Sequence, residues 1–323
     1  MRVILAQPRG FCAGVERAID IVDRSIRLFR SPVYVRHEIV HNRYVVDELR
    51  AKGAIFVDDV DEIPAGAPVV FSAHGVSKGV KAEAKSRSLR AVDATCPLVT
   101  KVHRQVLRLH RLGYEILLIG HAGHPEVEGT VGQLSGGIQL IQNSEDAERV
   151  EVSNLSKVAY VTQTTLSLDD TAEIIRVLRR RFPSLQSPLT DDICYATQNR
   201  QLTVKRLADI VDVVIVIGAA NSSNSNRLVE VAQAVGAPAH RVSSAGELSP
   251  DWFTNVHVVG ITAGASVPEV LVTEVVDHLR DKFGADVEED AEGIPEEVYF
   301  PLPQELRAVE AGRTQPQVTH KRS

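Results

Sequence analysis

Short apolar runs recur along the chain and predict buried β-strands. Most of them have four to seven residues, are rich in Val and Ile, and are apolar at successive positions. Strands covered on both faces have this pattern, which is typical of parallel sheets flanked by helices. The nine runs are VILA near the start, VYV at 33, AIFV at 54, VVFSA at 69, EILLIG at 115, IQLI at 138, VAYVT at 158, VVIVIG at 213 and VHVVGIT at 256.

Amphipathic segments alternate with these runs and predict helices. Their apolar residues recur at spacings of three and four, so that each helix has one apolar face. The alternation of strands and helices indicates an α/β fold. The predicted helices cover residues 15–29, 98–112, 172–181, 199–210, 228–235 and 269–279.

The strand and helix units fall into three groups of similar length, with a cysteine near the edge of each group. We therefore expect three small α/β lobes, each a mainly parallel sheet flanked by helices, without a strict residue repeat. Proline-bearing segments near 97 and at 183–192 are the candidate boundaries. The predicted lobes are 13–96, 97–193 and 194–283, and the first strand, within residues 1–12, is assigned to the third lobe.

Charge is unevenly distributed along the 323 residues. The whole chain has a formal net charge of −6, yet residues 284–323 alone contain nine acidic and four basic residues. The nearly neutral remainder argues against a nucleic-acid-binding surface. The segment 284–323 is rich in Glu, Pro and Gly, and we predict a largely disordered extension that docks through its apolar patch at 298–302.

Two further features bear on location. No apolar run approaches the roughly 20 residues of a membrane span, and the N-terminal residues lack the pattern of a secretory signal. Three cysteines are too few for a disulfide framework. We expect a soluble, cytoplasmic protein.

Small and polar residues follow five of the predicted strands. Ligands of parallel α/β folds bind where strands end, and hydroxyl, amide and backbone N–H groups suit an anion with many oxygens, such as a diphosphate. The alternative is that these residues are only helix caps and turns. No phosphate-binding G-x-x-x-x-G-K-[ST] or G-x-G-x-x-G pattern supports a nucleotide. The five segments are 72–75, 121–126, 162–165, 221–226 and 262–266.

Three histidines and one glutamate are candidates for ligand contact and proton transfer. His41, His74 and His124 lie at strand ends or helix starts. Six other histidines are expected to be structural or at the surface: His103, His110, His240, His257, His278 and His320. Glu126 follows His124 closely, and a partly desolvated carboxyl group has a raised pKa and can donate a proton. Glu128 is the nearest competitor.

The three cysteines, Cys12, Cys96 and Cys194, each lie at a turn just before a predicted helix. A helix N-terminus stabilises a thiolate. None of them belongs to a C-x-x-C pair, so a structural zinc site is not indicated. Three separate thiolates fit a 4Fe-4S cluster that keeps one iron without a protein ligand, but plain burial of thiols remains open on these residues alone.

Nine segments in order closely resemble the LytB/IspH family of 4-hydroxy-3-methylbut-2-enyl diphosphate reductases. The resemblance extends from residue 1 to about 283. The segments are PRGFCAGV at 8, YVRHEIVHNRYVVD at 34, FSAHGVS at 71, DATCPLVTKVH at 93, IGHAGHPEVEGT at 119, VTQTTLS at 161, DDICYATQNRQ at 191, NSSNSNRL at 221 and TAGASVPE at 262.

The resemblance implies reductive removal of the allylic hydroxyl group of a diphosphate, in the non-mevalonate isoprenoid pathway. It implies three lobes around a central 4Fe-4S cluster held by Cys12, Cys96 and Cys194, and an external electron donor such as ferredoxin or flavodoxin. Glu126 would be the proton donor, and Thr164 would order the hydroxyl end of the substrate. The residues implied for diphosphate binding are His41, His74, His124, Ser222, Ser223, Asn224 and Ser266.

Two other functions remain compatible with these residues. A hydro-lyase would use the same cluster to remove water without net electrons, and a non-catalytic iron-sulfur sensor would not need the five polar loops. The number of electrons consumed per product separates the first from a reductase, and binding of an allylic diphosphate separates the second. The sequence leaves the oligomeric state open.

Overall fold

Three parallel sheets, each flanked by helices, make up the part of the chain that the computed structural model describes, which is residues 1–30, 32–304, 306 and 307. The α/β class and the three-lobed arrangement are confirmed. Within this part, no helix combines the length and the apolar character needed to cross a bilayer.

The strands are short, and most helices span two to four turns. The strands are β1 Arg2–Leu5, β2 Val33–Arg36, β3 Ala54–Val57, β4 Pro68–Phe71, β5 Arg90–Asp93, β6 Glu115–Ile119, β7 Ile138–Ile141, β8 Val158–Thr162, β9 Val213–Ile217, β10 Ala239–Val242, β11 Val258–Ala263 and β12 Asp286–Glu289. The helices are α1 Ala13–Phe29, α2 Arg43–Ala51, α3 Lys78–Ser86, α4 Pro97–Arg111, α5 Pro125–Val131, α6 Ser144–Arg149, α7 Leu168–Arg181, α8 Tyr195–Ala208, α9 Ser223–Ala234 and α10 Glu269–Phe283.

Each lobe is defined by one sheet. The first sheet has the order β3-β2-β4-β5, the second β7-β6-β8 and the third β10-β9-β11-β1-β12. The first strand of the chain therefore lies inside the third sheet, where Val3 is in register with Val259 on one side and Val287 on the other. We retain the lobe limits at 96/97 and 193/194 as a proposal.

Strand β9 shows why the apolar runs are continuous. All five of its residues are buried. Ile215 packs into the same core cluster as Leu279 of α10, and its neighbour Val216 packs into the opposite cluster with Leu228 of α9. Successive side chains of a strand point to opposite faces, so a sheet covered on both sides needs apolar residues at every position.

The prediction of a largely disordered extension at 284–323 is wrong for its first part. Strand β12 pairs with β1, and the backbone N–H of Asp290 donates to the carbonyl of Leu5. Docking involves Leu302, packed against the core of the first lobe, and Leu306, which is only 2% exposed, whereas Tyr299 of the predicted patch is exposed. Residues 308–323 lie outside the described residues.

Candidate functional site

Strands of all three sheets end at one cavity with about 710 Å³ of empty space. The loops that follow β1, β2, β4, β5, β6, β8, β9 and β11 reach its wall. Every candidate residue of the sequence is on this wall, and the twelve are Cys12, His41, His74, Cys96, His124, Glu126, Thr164, Cys194, Ser222, Ser223, Asn224 and Ser266.

The three cysteines form one end of the cavity. Cys12, Cys96 and Cys194 are the N-cap residues of α1, α4 and α8, and none of their side chains makes a capping hydrogen bond. Gly14 separates two of the sulfurs: a Cβ atom there would lie 2.8 Å from Sγ of Cys96 and 3.8 Å from Sγ of Cys12. The glycine therefore leaves room that any side chain would fill.

Burial disfavours the charged form of these thiols. It raises the pKa of Cys96 to about 12 and that of Cys194 to about 11, and the charge of Cys12 adds to both shifts. Burial also raises the pKa of Cys12, against the opposing charge of Arg200. Thiols that repel one another's charge in a buried space become thiolates when a cationic metal group compensates them.

The three histidines lie against one another on the cavity wall. The rings of His41 and His74 are stacked at 4.2 Å, and the ring of His124 meets both edge-on at 5.5 and 5.8 Å. Burial lowers the pKa of His124 to about 3 and holds the pKa of His74 well below 6.5. The Nδ1 atom of His124 accepts the backbone N–H of Glu126 at 3.2 Å, so its Nε2 atom carries the proton.

His41 has a carboxylate partner that the sequence analysis did not single out. Its Nδ1 atom lies 3.1 Å from Oε2 of Glu38, which also accepts from the amide of Asn221 at 2.9 Å. The hydrogen bond from His41 is the main cause that lowers the pKa of Glu38. The Nε2 atom of His41 is buried and has no partner among the described residues.

Hydroxyl and amide groups make up a further part of the cavity wall. Ser222 caps α9, because its Oγ accepts the N–H of Ser225 at 3.3 Å. Asn224 is 5% exposed, and both polar atoms of its amide lack a partner in the described structure. Ser223 and Ser266 bind Thr165 and the carbonyl of His41.

Glu126 and Thr164 form a hydrogen-bonded pair on the cavity wall. The N–H of Thr164 donates to Oε1 of Glu126 at 2.6 Å, and its hydroxyl donates to Oε2 at 2.9 Å. Glu126 is 3% exposed, and burial raises its pKa to about 7. Glu128 is exposed and does not line the cavity, so the structure favours Glu126 of the two.

Several wall residues carried no distinctive sequence signal. Gly14 and Thr165 lie in the C-A-G and T-Q-T-T segments. Only the candidate residues next to them in the sequence indicate that they belong to the site. Thr197, whose Oγ1 is 3.2 Å from Sγ of Cys194, is one turn into α8. The apolar part of the wall is made by Val15, Val40, Ala73, Leu98, Val99 and Ala265.

This fold and site define a class of protein: a three-lobed α/β protein whose central cavity is lined by three thiols, three imidazoles, a buried carboxyl group and several hydroxyl and amide groups. The model of the LytB protein family matches residues 3–280, and the chain belongs to this family.

Relatives cover almost the whole chain. Two proteins named 4-hydroxy-3-methylbut-2-enyl diphosphate reductase, from Azoarcus sp. strain BH72 and Aromatoleum aromaticum, are 56% and 57% identical over 305 residues, which are 94% of this chain and 97% of each relative. The solved structure of the corresponding reductase from Plasmodium falciparum is 36% identical, with a TM-score of 0.92 over 97% of this chain and 98% of its own. A second reductase structure, described as the terminal enzyme of the non-mevalonate pathway, is 33% identical with a TM-score of 0.62, over 87% of this chain and all of its own.

Proposed function

We propose that the chain reduces (E)-4-hydroxy-3-methylbut-2-enyl diphosphate to isopentenyl and dimethylallyl diphosphates in the non-mevalonate isoprenoid pathway. The allylic C–O bond breaks, two electrons and two protons enter, and the oxygen leaves as water. The observation that carries this proposal is one cavity in which three thiols, a protonatable carboxyl group and an anion-binding wall face the same space. Membership of the LytB family and the names of the relatives support it.

The cofactor we assign is a 4Fe-4S cluster with three cysteine ligands. The free sulfurs of three N-cap cysteines and the space beside Gly14 fit such a group. Among the described residues no three His, Cys, Asp or Glu side chains could share one metal ion, and a cluster does not require this because each cysteine binds a different iron. When bound, the cluster supplies electrons singly and an open iron that polarises the C–O bond.

The diphosphate is held by neutral donors at the opposite end. Nε2–H of His124, the hydroxyls of Ser222, Ser223 and Ser266, and the free amide of Asn224 are donors of the kind that phosphate oxygens accept. The N-terminus of α9 adds its positive end. His74 and His41 complete the pocket, and the buried Nε2 atom of His41 has no partner among the described residues.

Glu126 supplies the proton to the departing oxygen. A carboxyl group with a pKa of about 7 holds its proton in much of the population at neutral pH and can also release it. The hydroxyl of Thr164 contacts Glu126 and lines the cavity, so it orients the substrate oxygen and passes the proton. Catalysis at this site therefore requires the pair rather than the carboxyl group alone.

Electrons come from an external carrier such as ferredoxin or flavodoxin, since the chain has no nicotinamide-binding or flavin-binding pattern. We place the enzyme in the cytoplasm, with an allylic diphosphate as its small-molecule partner and neither nucleic acid nor membrane as a partner.

The decisive measurement is the number of electrons consumed per product under anaerobic conditions. Two electrons per product support the reductase, and none would support a hydro-lyase. Failure of the iron-loaded protein to bind any allylic diphosphate would favour the sensor. Mössbauer spectra with and without substrate report the iron count and whether one iron changes its ligands on binding.

A further inference from the structure

The segment 290–302, which we call the strap, follows the chain that leads to Cys12. Strand β12 pairs with β1, and beyond it the N–H of Asp290 donates to the carbonyl of Leu5 and the N–H of Ile294 to that of Gln7. The side chain of Arg206 forms an ion pair with Asp290 at the start of the strap. The strap therefore reaches the cysteine end of the cavity along a fixed path.

Glu296 of the strap binds a fully buried arginine behind Cys12. The side chain of Arg200 has no exposure, and it donates to Oε1 of Glu296 at 3.0 Å and to the carbonyl of Gly10 at 2.8 Å. Asn199 donates to the same carboxylate at 3.0 Å. Gly10 lies two residues before Cys12, and Arg200 belongs to α8, whose N-cap is Cys194. One carboxylate thus connects two cysteine-bearing elements.

A second arginine connects the strap to the third cysteine. Arg17 of α1 donates to the carbonyl of Pro301 at 2.8 Å and to the carbonyls of Ala94 and Thr95 at 3.3 and 3.1 Å. These two carbonyls immediately precede Cys96, and α1 begins after Cys12. Leu302 then packs against the core of the first lobe.

We propose that the strap positions the three cysteine turns, with Glu296 acting through Arg200 on the Cys12 turn and the carbonyl of Pro301 acting through Arg17 on the Cys96 turn. This inference rests on the proposed iron-sulfur function, and all four groups are positioning residues that lie outside the cavity wall. Removing one partner of a buried ion pair leaves the charge of the other partner buried and uncompensated, and this is destabilising. The arrangement therefore needs both partners.

The first test measures thiol reactivity in the full-length chain after a chelator has removed its iron. In Glu296→Ala, we expect Cys12 to react with an alkylating reagent about tenfold faster than in the unaltered chain, while Cys96 serves as the internal reference. In Arg17→Ala, we expect the reverse pattern: Cys96 should react faster than in the unaltered chain, while Cys12 serves as the internal reference. The matched control is Glu297→Ala, because Glu297 is exposed and has no ion pair within the described residues.

Unchanged reactivity in both variants, or an equal increase at all three cysteines, would overturn the proposal. This assay needs neither cluster nor substrate, so its result is independent of whether the chain reduces an allylic diphosphate.

The second test measures the midpoint potential of the reconstituted cluster. Reduction adds negative charge, so removal of a nearby negative charge raises the potential and removal of a nearby positive charge lowers it. We expect Glu296→Gln to shift the potential upward, Arg200→Gln to shift it downward, and Glu297→Gln to leave it unchanged. General loosening of the structure would shift the midpoint potential of both variants in the same direction. That result, or no shift of the potential in either variant, contradicts the proposal. If the Arg200 variant does not fold, the sign of the Glu296→Gln shift decides alone.

Discussion

Glu126 is a buried carboxyl group that has no cationic partner among the described residues. Both of its oxygens accept from Thr164, yet burial dominates and raises its pKa from 4.5 to about 7. The unfolded chain keeps the ordinary value, so unfolding releases a proton between these two pH values. The folded state therefore loses stability as the pH rises from about 4.5 through about 7. The same property that suits proton donation lowers stability at neutral pH.

Glu126→Gln should abolish turnover and stabilise the fold at high pH. Glutamine keeps both contacts with Thr164 but has no proton to give, so we expect a loss of at least about a hundredfold in rate with binding of the substrate retained. In urea unfolding of the iron-free chain, the advantage of the variant should grow by roughly 2 kcal/mol between about pH 5 and about pH 8.

The matched control is Glu128→Gln, two residues further on and exposed. It should change neither the rate nor the pH dependence of stability. Near-normal turnover of Glu126→Gln would remove Glu126 from the mechanism. In the unaltered enzyme, activity should fall as the pH rises through about 7.

Glu38 orients the ring of His41. The carboxylate accepts from Nδ1, and the buried Nε2 atom has no partner among the described residues. Glu38→Gln should weaken the binding of inorganic diphosphate by about tenfold in calorimetry, because the charge-assisted hydrogen bond is lost. Glu48→Gln, an exposed change on α2 of the same lobe, is the control. Tighter binding by Glu38→Gln would show that Glu38 acts only as a repelling charge.

At the scale of the elements, helix N-termini organise the site. α1, α4 and α8 each begin after a cysteine, and α9 begins after Ser222. The positive ends of these helices face the space where thiolates and a diphosphate would bring negative charge. This arrangement offsets anionic ligands without placing many cationic side chains in the cavity.

The second residue of α1 provides a test of this arrangement. Gly14→Ala adds a methyl group 2.8 Å from Sγ of Cys96, so we expect the chain to retain much less iron and sulfide after reconstitution. Alanine is a better helix former than glycine, so the iron-free chain should be no less stable. Gly79→Ala changes the second residue of α3, where the nearest atom is 3.6 Å away, and should load iron normally. Full iron content in Gly14→Ala would rule out the close fit.

The three strands that the sequence analysis missed share a position in the sheets. β5, β10 and β12 are all edge strands, and their sequences RAVD, AHRV and DVEE lack a continuous apolar run. An edge strand is partly exposed and tolerates polar and charged residues, so its pattern is weak. Helices α7, α8 and α9 begin four or five residues before their predicted starts. Ser167 and Ser222 cap α7 and α9, whereas the N-cap residue of α8, Cys194, makes no capping hydrogen bond.

At the scale of the whole molecule, the cavity belongs to all three lobes at once. Contacts cross between lobes at its wall: Thr165 binds Ser223, Asn221 binds Glu38, and Ser266 binds the carbonyl of His41. A ligand in this cavity therefore stabilises the relative arrangement of the lobes as well as each loop. Binding energy is distributed over the fold in this way because no lobe contains a complete site.

Inorganic diphosphate should consequently protect backbone amides of every lobe from hydrogen exchange. We expect slower exchange at 72–76, 121–126 and 222–226 together, and at a concentration about a hundredfold above the dissociation constant the added stability should approach 2.7 kcal/mol. The segment at 110–113, distant from the cavity wall, serves as the internal reference. Protection confined to one lobe would show that the site is not shared.

The tertiary fold also determines which functional groups could be predicted from the sequence. Residues that follow strands lie at predictable places, and the resemblance to a known family named the individual side chains, so all twelve candidates could be found before the fold was known. Glu38, Arg200 and Glu296 owe their roles to partners that the tertiary fold supplies, and Arg200 contacts residues about 190 and 96 positions away. A buried arginine on a helix with polar residues on several faces gives no periodic signal of its own.

The position of β1 has a consequence for biosynthesis. This strand pairs with β11 and β12, which follow it by about 250 residues or more. A ribosome adding ~5–20 residues per second needs on the order of tens of seconds to make that stretch. During this time an apolar segment emerges with both hydrogen-bonding edges open, a state that invites aggregation and that chaperones protect. Assembly of the third lobe, and of the turn that carries Cys12, must therefore wait until translation has passed residue 289.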